Sequence, residues 1–212
     1  MKKIIFLTIS TFLILTACSE NCINGDNNYV TIEKNLSNFE NIENPYPGTV
    51  HLKNGENKVS YNIEENLKNK IEFDIDNNTL KLKDKDDNCF SSNGIDFIFY
   101  SNSYNGLENN GSADWTSDSL NFNPIITSNG SGDITLTWLS ESQEIKSNGS
   151  GDILLNVSNN VNVLSNGSAE ITLNNITGKL EVEINGSGNV NYTGTPNEII
   201  VRENGSGRLI KQ

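Results

Sequence analysis

The tripeptide Asn-Gly-Ser occurs six times in the second half of this chain, at almost constant spacing. The intervals between successive copies are 19, 19, 18, 19 and 19 residues. A fixed period near twenty residues is typical of a solenoid, in which each repeat forms one turn of a coil and stacks on the next. The asparagines of the six copies are Asn110, Asn129, Asn148, Asn166, Asn185 and Asn204.

Apolar residues recur at fixed positions on both sides of each Asn-Gly-Ser corner. They alternate with other residues, as expected of strands with one buried face, and β-branched side chains dominate them. We expect residues 106–211 to form regular rungs of about 19 residues, each with a strand, a sharp corner, a second strand and a variable return turn. The inner columns are Ile126, Ile145, Val163, Val182 and Val201; Trp115, Ile134, Ile153, Ile171, Val190 and Leu209; and Leu136, Leu155, Leu173 and Tyr192.

The repeated corner predicts a ladder of side-chain amides. Equivalent residues of such a coil stack about 4.8 Å apart, the spacing of strands in a sheet. Each corner asparagine can therefore hydrogen-bond to the next. The alternative is that Asn-Gly-Ser serves as a glycosylation acceptor, but its occurrence once per turn favours the structural role. The corner glycine permits a positive φ, and the small residue two positions later keeps the bend tight.

An acidic stripe is expected beside this corner, four residues after each asparagine. Solvated turn residues are the simpler interpretation, and weak Ca²⁺ binding is the alternative. One carboxylate per rung supplies fewer oxygens than the six to eight that Ca²⁺ prefers, and the chain's single histidine is weak evidence for a zinc site. No other cofactor is expected. The candidate stripe is Asp114, Asp133, Asp152 and Glu170, followed by Asn189 and Arg208.

Composition alone would suggest disorder or a turn-rich β-structure. The 212 residues include 37 asparagines, only 34% are hydrophobic, and 27 acidic against 15 basic side chains give a formal net charge of −12. Low hydrophobicity with high net charge is typical of disordered chains, but such chains have no reason to keep apolar columns in register. The acidic balance excludes a nucleic-acid binder, which needs a basic surface.

The first 17 residues have the pattern of a secretory signal. Two lysines precede an apolar stretch that is too short to span a bilayer, and a transmembrane anchor is the less favoured alternative. Leu15-Thr16-Ala17-Cys18 is similar to the lipobox of bacterial lipoproteins, which implies a diacylglyceryl group on Cys18. We expect residues 18–29 to be a lipidated lead that holds the protein to the outer membrane, on its periplasmic or its cell-surface side.

Two further cysteines, Cys22 and Cys89, are expected to form one disulfide in an oxidising envelope. Closing this loop would stabilise the fold by about 4 kcal/mol in the chain-entropy model. A thiol nucleophile is the weaker alternative, because the only histidine, His51, has no evident partner.

Residues 30–105 also contain alternating apolar runs, but their spacing drifts. No linker rich in Pro, Gly or Ser separates them from the regular rungs. An open solenoid end would expose apolar side chains and unpaired strand edges. We therefore expect residues 30–105 to form irregular initial rungs or a cap, within one domain that spans residues 30–211.

The order of several segments resembles the head GIN domain family of adhesin-like envelope proteins, which are often lipoproteins of Bacteroidota. The segments are the lipobox followed by Cys22, the stretches 50–59 and 78–82, the Asn88-Cys89 step, the repeated Gly-Ser-Gly-Asp corners and the stretch 188–196. The resemblance covers about residues 30–211. It implies a right-handed parallel β-helix and brings no catalytic or binding residues.

Two classes of function are consistent with these features. The first is a non-enzymatic, lipid-anchored β-solenoid that presents a surface to a glycan or a protein. The second is a polysaccharide lyase or hydrolase on a β-helix, since such enzymes use carboxylates. The acids occupy equivalent repeat positions, which structural repetition already explains, and fold analogy alone cannot carry an enzyme assignment. We expect Trp115 to lie in the core, and burial is also favoured for Trp138.

Overall fold

The computed structural model describes residues 22–85, 89–120, 125–137, 142–157 and 159–212. The predicted lipidation site Cys18 and the predicted core residue Trp138 lie outside these ranges. Within them the fold contains strands, a 3₁₀ turn at Glu65–Leu67, and no α-helix. The predicted all-β class is confirmed, and the arrangement of strands is that of a β-solenoid-like fold.

The described residues of the first half of the chain form nine strands. They are β1 Ile23–Asn24, β2 Tyr29–Asn35, β3 Asn41–Asn44, β4 Gly48–Asn54, β5 Lys58–Glu64, β6 Ile71–Asp76, β7 Thr79–Asp84, β8 Phe90–Ser91 and β9 Ile95–Ser101.

In the second half, the described residues form twelve strands, two for each Asn-Gly-Ser corner. They are β10 Gly106–Asn109, β11 Ala113–Ser117, β12 Ile125–Ser128, β13 Ile134–Thr137, β14 Ser142–Ser147, β15 Ile153–Asn156, β16 Asn160–Ser165, β17 Ile171–Ile176, β18 Lys179–Ile184, β19 Val190–Gly194, β20 Glu198–Glu203 and β21 Leu209–Lys211.

The repeat strands sort into two parallel ladders. Strands before each corner form one run, β10-β12-β14-β16-β18-β20, and strands after each corner form the other, β11-β13-β15-β17-β19-β21. Paired residues are 18 or 19 positions apart in sequence, as in Ile145 with Val163 and Ile134 with Ile153. Side chains that pair in this way share a face of the sheet, so the apolar columns become continuous walls.

The inner walls are buried along most of the coil. Ile126, Ile145, Val163 and Val182 are at most 1% exposed. The second column is equally buried from Trp115 to Val190, which confirms the core position predicted for Trp115. The last rung differs, because Val201 is 44% exposed and Leu209 is only partly buried. The expectation that Val201 lies in the core is wrong, since no described strand stacks on β20 from the other side.

The first rungs follow a spatial order that differs from the chain order. Strand β3 lies between β7 and β10, and β4 lies between β9 and β11. Residues 41–54 therefore form the rung directly before 106–117, and β7 with β9 forms the rung before that. The core columns pass through this region, because Ile42 pairs with both Leu80 and Leu107.

Antiparallel strands cover the end of the coil beyond β7 and β9. Strand β5 pairs antiparallel with β9 and with β2, and β6 pairs antiparallel with β7. The hairpin between β6 and β7 turns through Asn77 and Asn78, both with positive φ, a backbone conformation that asparagine tolerates. The core here is aromatic, with the rings of Phe97 and Phe99 stacked at a centroid distance of 5.5 Å.

A disulfide ties the N-terminal lead to this end of the molecule. Cys22 and Cys89 are bonded, with their Cα atoms 4.7 Å apart. Next to the bond, β1 pairs with β8 through Ile23 and Phe90. Residues 22–24 therefore lie at the end of the coil opposite to β20 and β21.

Candidate functional surface

The six corner asparagines form a hydrogen-bonded column along one side of the coil, here called the asparagine column. From Asn129 onward, the amide Nδ2 of each donates to Oδ1 of the asparagine one rung earlier. The five bonds join Asn129 to Asn110, Asn148 to Asn129, Asn166 to Asn148, Asn185 to Asn166 and Asn204 to Asn185, at 2.8 to 2.9 Å. Each central amide thus has one donor and one acceptor role fixed by its neighbours.

The glycine after each asparagine is required for a reason other than the one predicted. None of these corner glycines has a positive φ, a conformation that only Gly48, Gly55, Gly94 and Gly194 adopt among the described glycines. The corners instead stack so closely that a Cβ atom on Gly130 or Gly149 would collide with the backbone carbonyl of the corner glycine one rung earlier. These corner positions therefore require glycine because the backbones of successive rungs approach too closely for a Cβ atom.

The acidic stripe, here called the acidic column, bonds to the backbone. Oδ1 of Asp114 accepts a hydrogen bond from the backbone N–H of Asp133 at 2.9 Å. The same contact joins Asp133 to the N–H of Asp152 and Asp152 to the N–H of Glu170, both at 2.8 Å. These carboxylates replace a backbone carbonyl where the sharp corner interrupts the strand ladder.

The equivalent contact persists where the acid is replaced by an amide. Oδ1 of Asn189 accepts from the N–H of Arg208 at 3.0 Å. The corner therefore needs a short side chain with an acceptor oxygen, and a negative charge is not required for it. Among the described residues, no three His, Cys, Asp or Glu side chains lie together in a group that could hold a metal ion.

Shallow grooves run along the outer faces of the coil. One of about 520 Å³ follows the corners and is lined by Asn110, Asn129 and Asn148 of the asparagine column, with neighbouring glycines and serines. A second, of about 220 Å³, lies beside the acidic column and includes Thr135, Leu154 and Thr172. A third, of about 290 Å³, crosses the other sheet between Lys146, Leu164 and Glu181. All three are open, and the first repeats its lining of asparagine, glycine and serine from rung to rung.

His51 lies on β4 in a small polar group on the outer face of the ten-stranded sheet. Its Nδ1 is 2.8 Å from Oγ1 of Thr116, and its Nε2 is 3.0 Å from Oδ1 of Asp118. Hydroxyl, imidazole and carboxylate are the groups of a hydrolase relay, but the Asp118 side chain is 60% exposed. Electrostatic stabilisation of a reacting group is strong only where water is excluded, so this group is better explained as a surface hydrogen-bond network.

Sequence reasoning missed two buried polar features. Ser128, Ser147 and Ser165 stack directly before the corners and are fully buried, and their hydroxyls have no hydrogen-bond partner among the described residues. Each serine lies two residues after a member of the apolar column, on the same face of its strand, and this spacing is the signal that could have predicted its burial. Glu64 is also fully buried at the end of β5, where nothing in the local sequence separates it from Glu65.

No helix in the described part of the chain is long and apolar enough to cross a membrane. No protein of curated function matches the chain in sequence. Solved structures share its fold. A "putative adhesin" from Bacteroides fragilis NCTC 9343 is 16% identical with a TM-score of 0.70, over 90% of this chain and 100% of that one.

Two structures from Parabacteroides distasonis ATCC 8503 are also similar. One is named a "putative adhesin", with 13% identity and a TM-score of 0.57 over 90% of this chain and 99% of that one. The other is named a "putative lipid binding protein", with 18% identity and a TM-score of 0.52 over the same shares. A family model described as "Putative auto-transporter adhesin, head GIN domain" matches residues 38–158 and 140–210. Because these matches span most of the chain, it belongs to the head GIN domain family.

Proposed function

We propose that this protein is a non-enzymatic, adhesin-like component of the cell envelope that binds an extended glycan along the corner groove. The observation that supports the proposal most directly is the periodic polar lining of that groove, where exposed Ser131, Ser150 and Ser168 lie beside the asparagine column. Hydroxyl and amide groups can both donate and accept hydrogen bonds, as sugar hydroxyls require. A polymer laid along the coil would meet the same groups in every rung.

The rigidity of this surface favours binding over catalysis. Every described corner of the asparagine column is held by side-chain bonds and by stacked backbone, so the lining is preorganised. The carboxylates that an enzyme would use are already acceptors for backbone N–H groups. The net charge of −12 favours neutral or amine-bearing glycans over polyanionic ones, which would be repelled.

The remaining parts of the proposal concern placement. We take the coil to be right-handed and the chain to be an outer-membrane lipoprotein, anchored through acylated Cys18. The similar structures named as adhesins support an envelope location. Because the lead lies at the capped end of the coil, a lipid on Cys18 would leave the grooves free along the side.

A glycan array and a turnover screen on the secreted chain test this function. Retention of a neutral or amine-bearing glycan without cleavage is expected. Ser131→Arg/Ser150→Arg should abolish retention by filling the corner groove, whereas Asn162→Arg, on the outer face of the other sheet, should not. Reproducible cleavage of any polysaccharide would refute the non-enzymatic assignment and favour the alternative, a polysaccharide-active enzyme.

The anchor has a separate test. Labelling of the expressed protein with a radioactive fatty acid should be lost in Cys18→Ser and retained in Cys22→Ser. Unchanged labelling of Cys18→Ser would contradict the proposed lipidation. A vesicle-binding assay of Cys18→Ser also tests whether the folded body itself binds lipid, the property for which the second P. distasonis protein is named.

A further inference from the structure

The coil has two ends of unlike construction. At the N-terminal end, β5 and β6 pair antiparallel with the rung strands β9 and β7, and β2 pairs antiparallel with β5. At the other end, β20 and β21 are the terminal strands of the two large sheets, and each pairs on one side only with a described strand. Terminal rungs of a solenoid normally carry a polar cover, because an uncovered one exposes apolar wall and strand edge.

In the rung formed by β20 and β21, side chains hydrogen-bond to the backbone of the corner, but the apolar side chains of β20 remain exposed. The guanidinium of Arg208 donates to the carbonyls of Gly205 at 3.3 Å and Gly207 at 2.8 Å. A carboxylate oxygen of Glu203 accepts from the N–H of Leu209 at 2.8 Å. Along β20, in contrast, Ile199 and Val201 are each 44% exposed.

These two side chains continue the inner wall of the core. Ile199 pairs with Leu180 and Val201 with Val182, and both partners are fully buried. The exposed apolar surface is therefore the next layer of the core, and it lies along an edge that can accept one more strand. Edges of this kind are templates for pairing with another chain.

The sequence of β20 is complementary to itself in an antiparallel arrangement. A two-fold axis through Ile200 would set Ile199 opposite Val201 of the second copy on the core face. On the outer face it would set Glu198 opposite Arg202, twice. Opposite-charge and β-branched cross-strand pairs both stabilise a sheet, and a two-fold contact closes on itself instead of growing into a fibre.

We propose that the β20 end of the coil binds a second copy of this chain, edge to edge, with Glu198 and Arg202 as the charge pair. Nη1 of Arg202 already lies 3.4 Å from Oε1 of Glu181 in the same chain. Because exposed ion pairs are weak, Arg202 can also pair with Glu198 of the second copy. The N-terminal lead lies at the far end, so the two leads of such a dimer point away from each other. If the proposed lipid anchor holds, the dimer would link two membranes; the pairing itself depends on neither anchor nor glycan binding.

Sedimentation velocity of the secreted chain with Cys18→Ser, over a range of concentrations, tests the pairing. A concentration-dependent dimer is expected. Ile199→Lys/Val201→Lys should shift it to monomer, whereas Ile125→Lys/Leu154→Lys should not, although Ile125 and Leu154 are comparably exposed, at 43% and 39%. A monomer at every concentration, or a dimer that the β20 variant leaves unchanged, would overturn the proposal.

Two further experiments, a charge reversal and a disulfide cross-link, test the register of the two strands. Arg202→Glu and Glu198→Arg should each raise the dimer dissociation constant, and the double variant should restore it. Ile200→Cys faces its own copy across the axis and should form an intermolecular disulfide on mild oxidation, while Ile125→Cys should not. Failure of both the charge reversal and the cross-link would overturn this register, whatever the outcome for glycan binding.

Discussion

The carboxylate of Asp133 accepts a hydrogen bond from the backbone N–H of Asp152, with Oδ1 2.8 Å from the nitrogen. The two residues occupy equivalent positions in successive rungs. A side chain of one rung therefore completes the backbone hydrogen bonding of the next, at the place where the corner breaks the regular ladder. This contact explains the acidic column by the needs of the fold.

Replacing Asp133 separates its acceptor role from its charge. Asp133→Ala should lower the free energy of unfolding by about 1 kcal/mol, because the N–H of Asp152 loses its partner. A loss of this size corresponds to a fall in Tm of about 2–4 °C for a domain of this length. Asp133→Asn should leave stability nearly unchanged, since Asn189 makes the same contact in a later rung. Equal losses in the two variants, measured by thermal unfolding, would show that the charge matters instead.

Weak calcium binding along the acidic column, the alternative raised by the sequence, has its own prediction. Calcium should raise the Tm of the unaltered chain, and the rise should vanish in Asp133→Asn/Asp152→Asn. This double variant removes two charges and keeps both acceptor oxygens, so a changed calcium response would not reflect a broken corner. No calcium-dependent rise in the unaltered chain would exclude the hypothesis.

Replacing an asparagine in the middle of the asparagine column should destabilise the protein more than replacing the one at its end. Asn148 bonds to both Asn129 and Asn166, whereas Asn204 bonds to Asn185 alone within the column. Asn148→Ala should cost about 2 kcal/mol and Asn204→Ala about 1 kcal/mol, at roughly 1 kcal/mol per hydrogen bond. Denaturant unfolding measures both, and an equal effect would argue against an energetic contribution from the amide ladder.

Gly149 should not tolerate a methyl group. A Cβ at this position would overlap the carbonyl oxygen of Gly130, which belongs to the backbone and cannot turn away. Gly149→Ala should therefore destabilise the fold by about 2 kcal/mol, within the range for overpacking. The neighbouring Ser150 is exposed, and Ser150→Ala should be close to neutral. A neutral Gly149→Ala would show that the corners separate more easily than their stacking suggests.

The regular rungs could be predicted from sequence because stacking forces the same residue types to the same positions. The columns at Ile126 and Ile134 were identified for that reason. The position of β3 between β7 and β10, and of β4 between β9 and β11, could not be predicted, because no period links residues 41–54 to 106–117. The exposure of Val201 was missed for a different reason. A repeat pattern defines the inner face of a rung, but burial also needs a further layer on top.

Glu64 should make stability depend on pH in the acid range. It is fully buried, and its carboxylate accepts from the hydroxyl of Ser92 at 2.6 Å and from the N–H of Asn93 at 3.2 Å. Burial by itself raises the pKa of Glu64, but these hydrogen bonds outweigh it and hold the pKa below its ordinary value. The unfolded chain then takes up this proton at a higher pH than the folded one.

The stabilisation from Glu64 is therefore complete above the ordinary glutamate pKa of about 4.3 and is lost as the pH falls through the lowered value. Glu64→Gln should reduce Tm at pH 7 and show a flatter decline of Tm between about pH 5 and pH 2 than the unaltered chain. Glu65→Gln is the matched control, because the side chain of Glu65 is exposed and forms an ion pair with Lys68 at the surface. Parallel curves for Glu64→Gln and the unaltered chain would contradict this prediction, because they would place the acid sensitivity in other carboxylates.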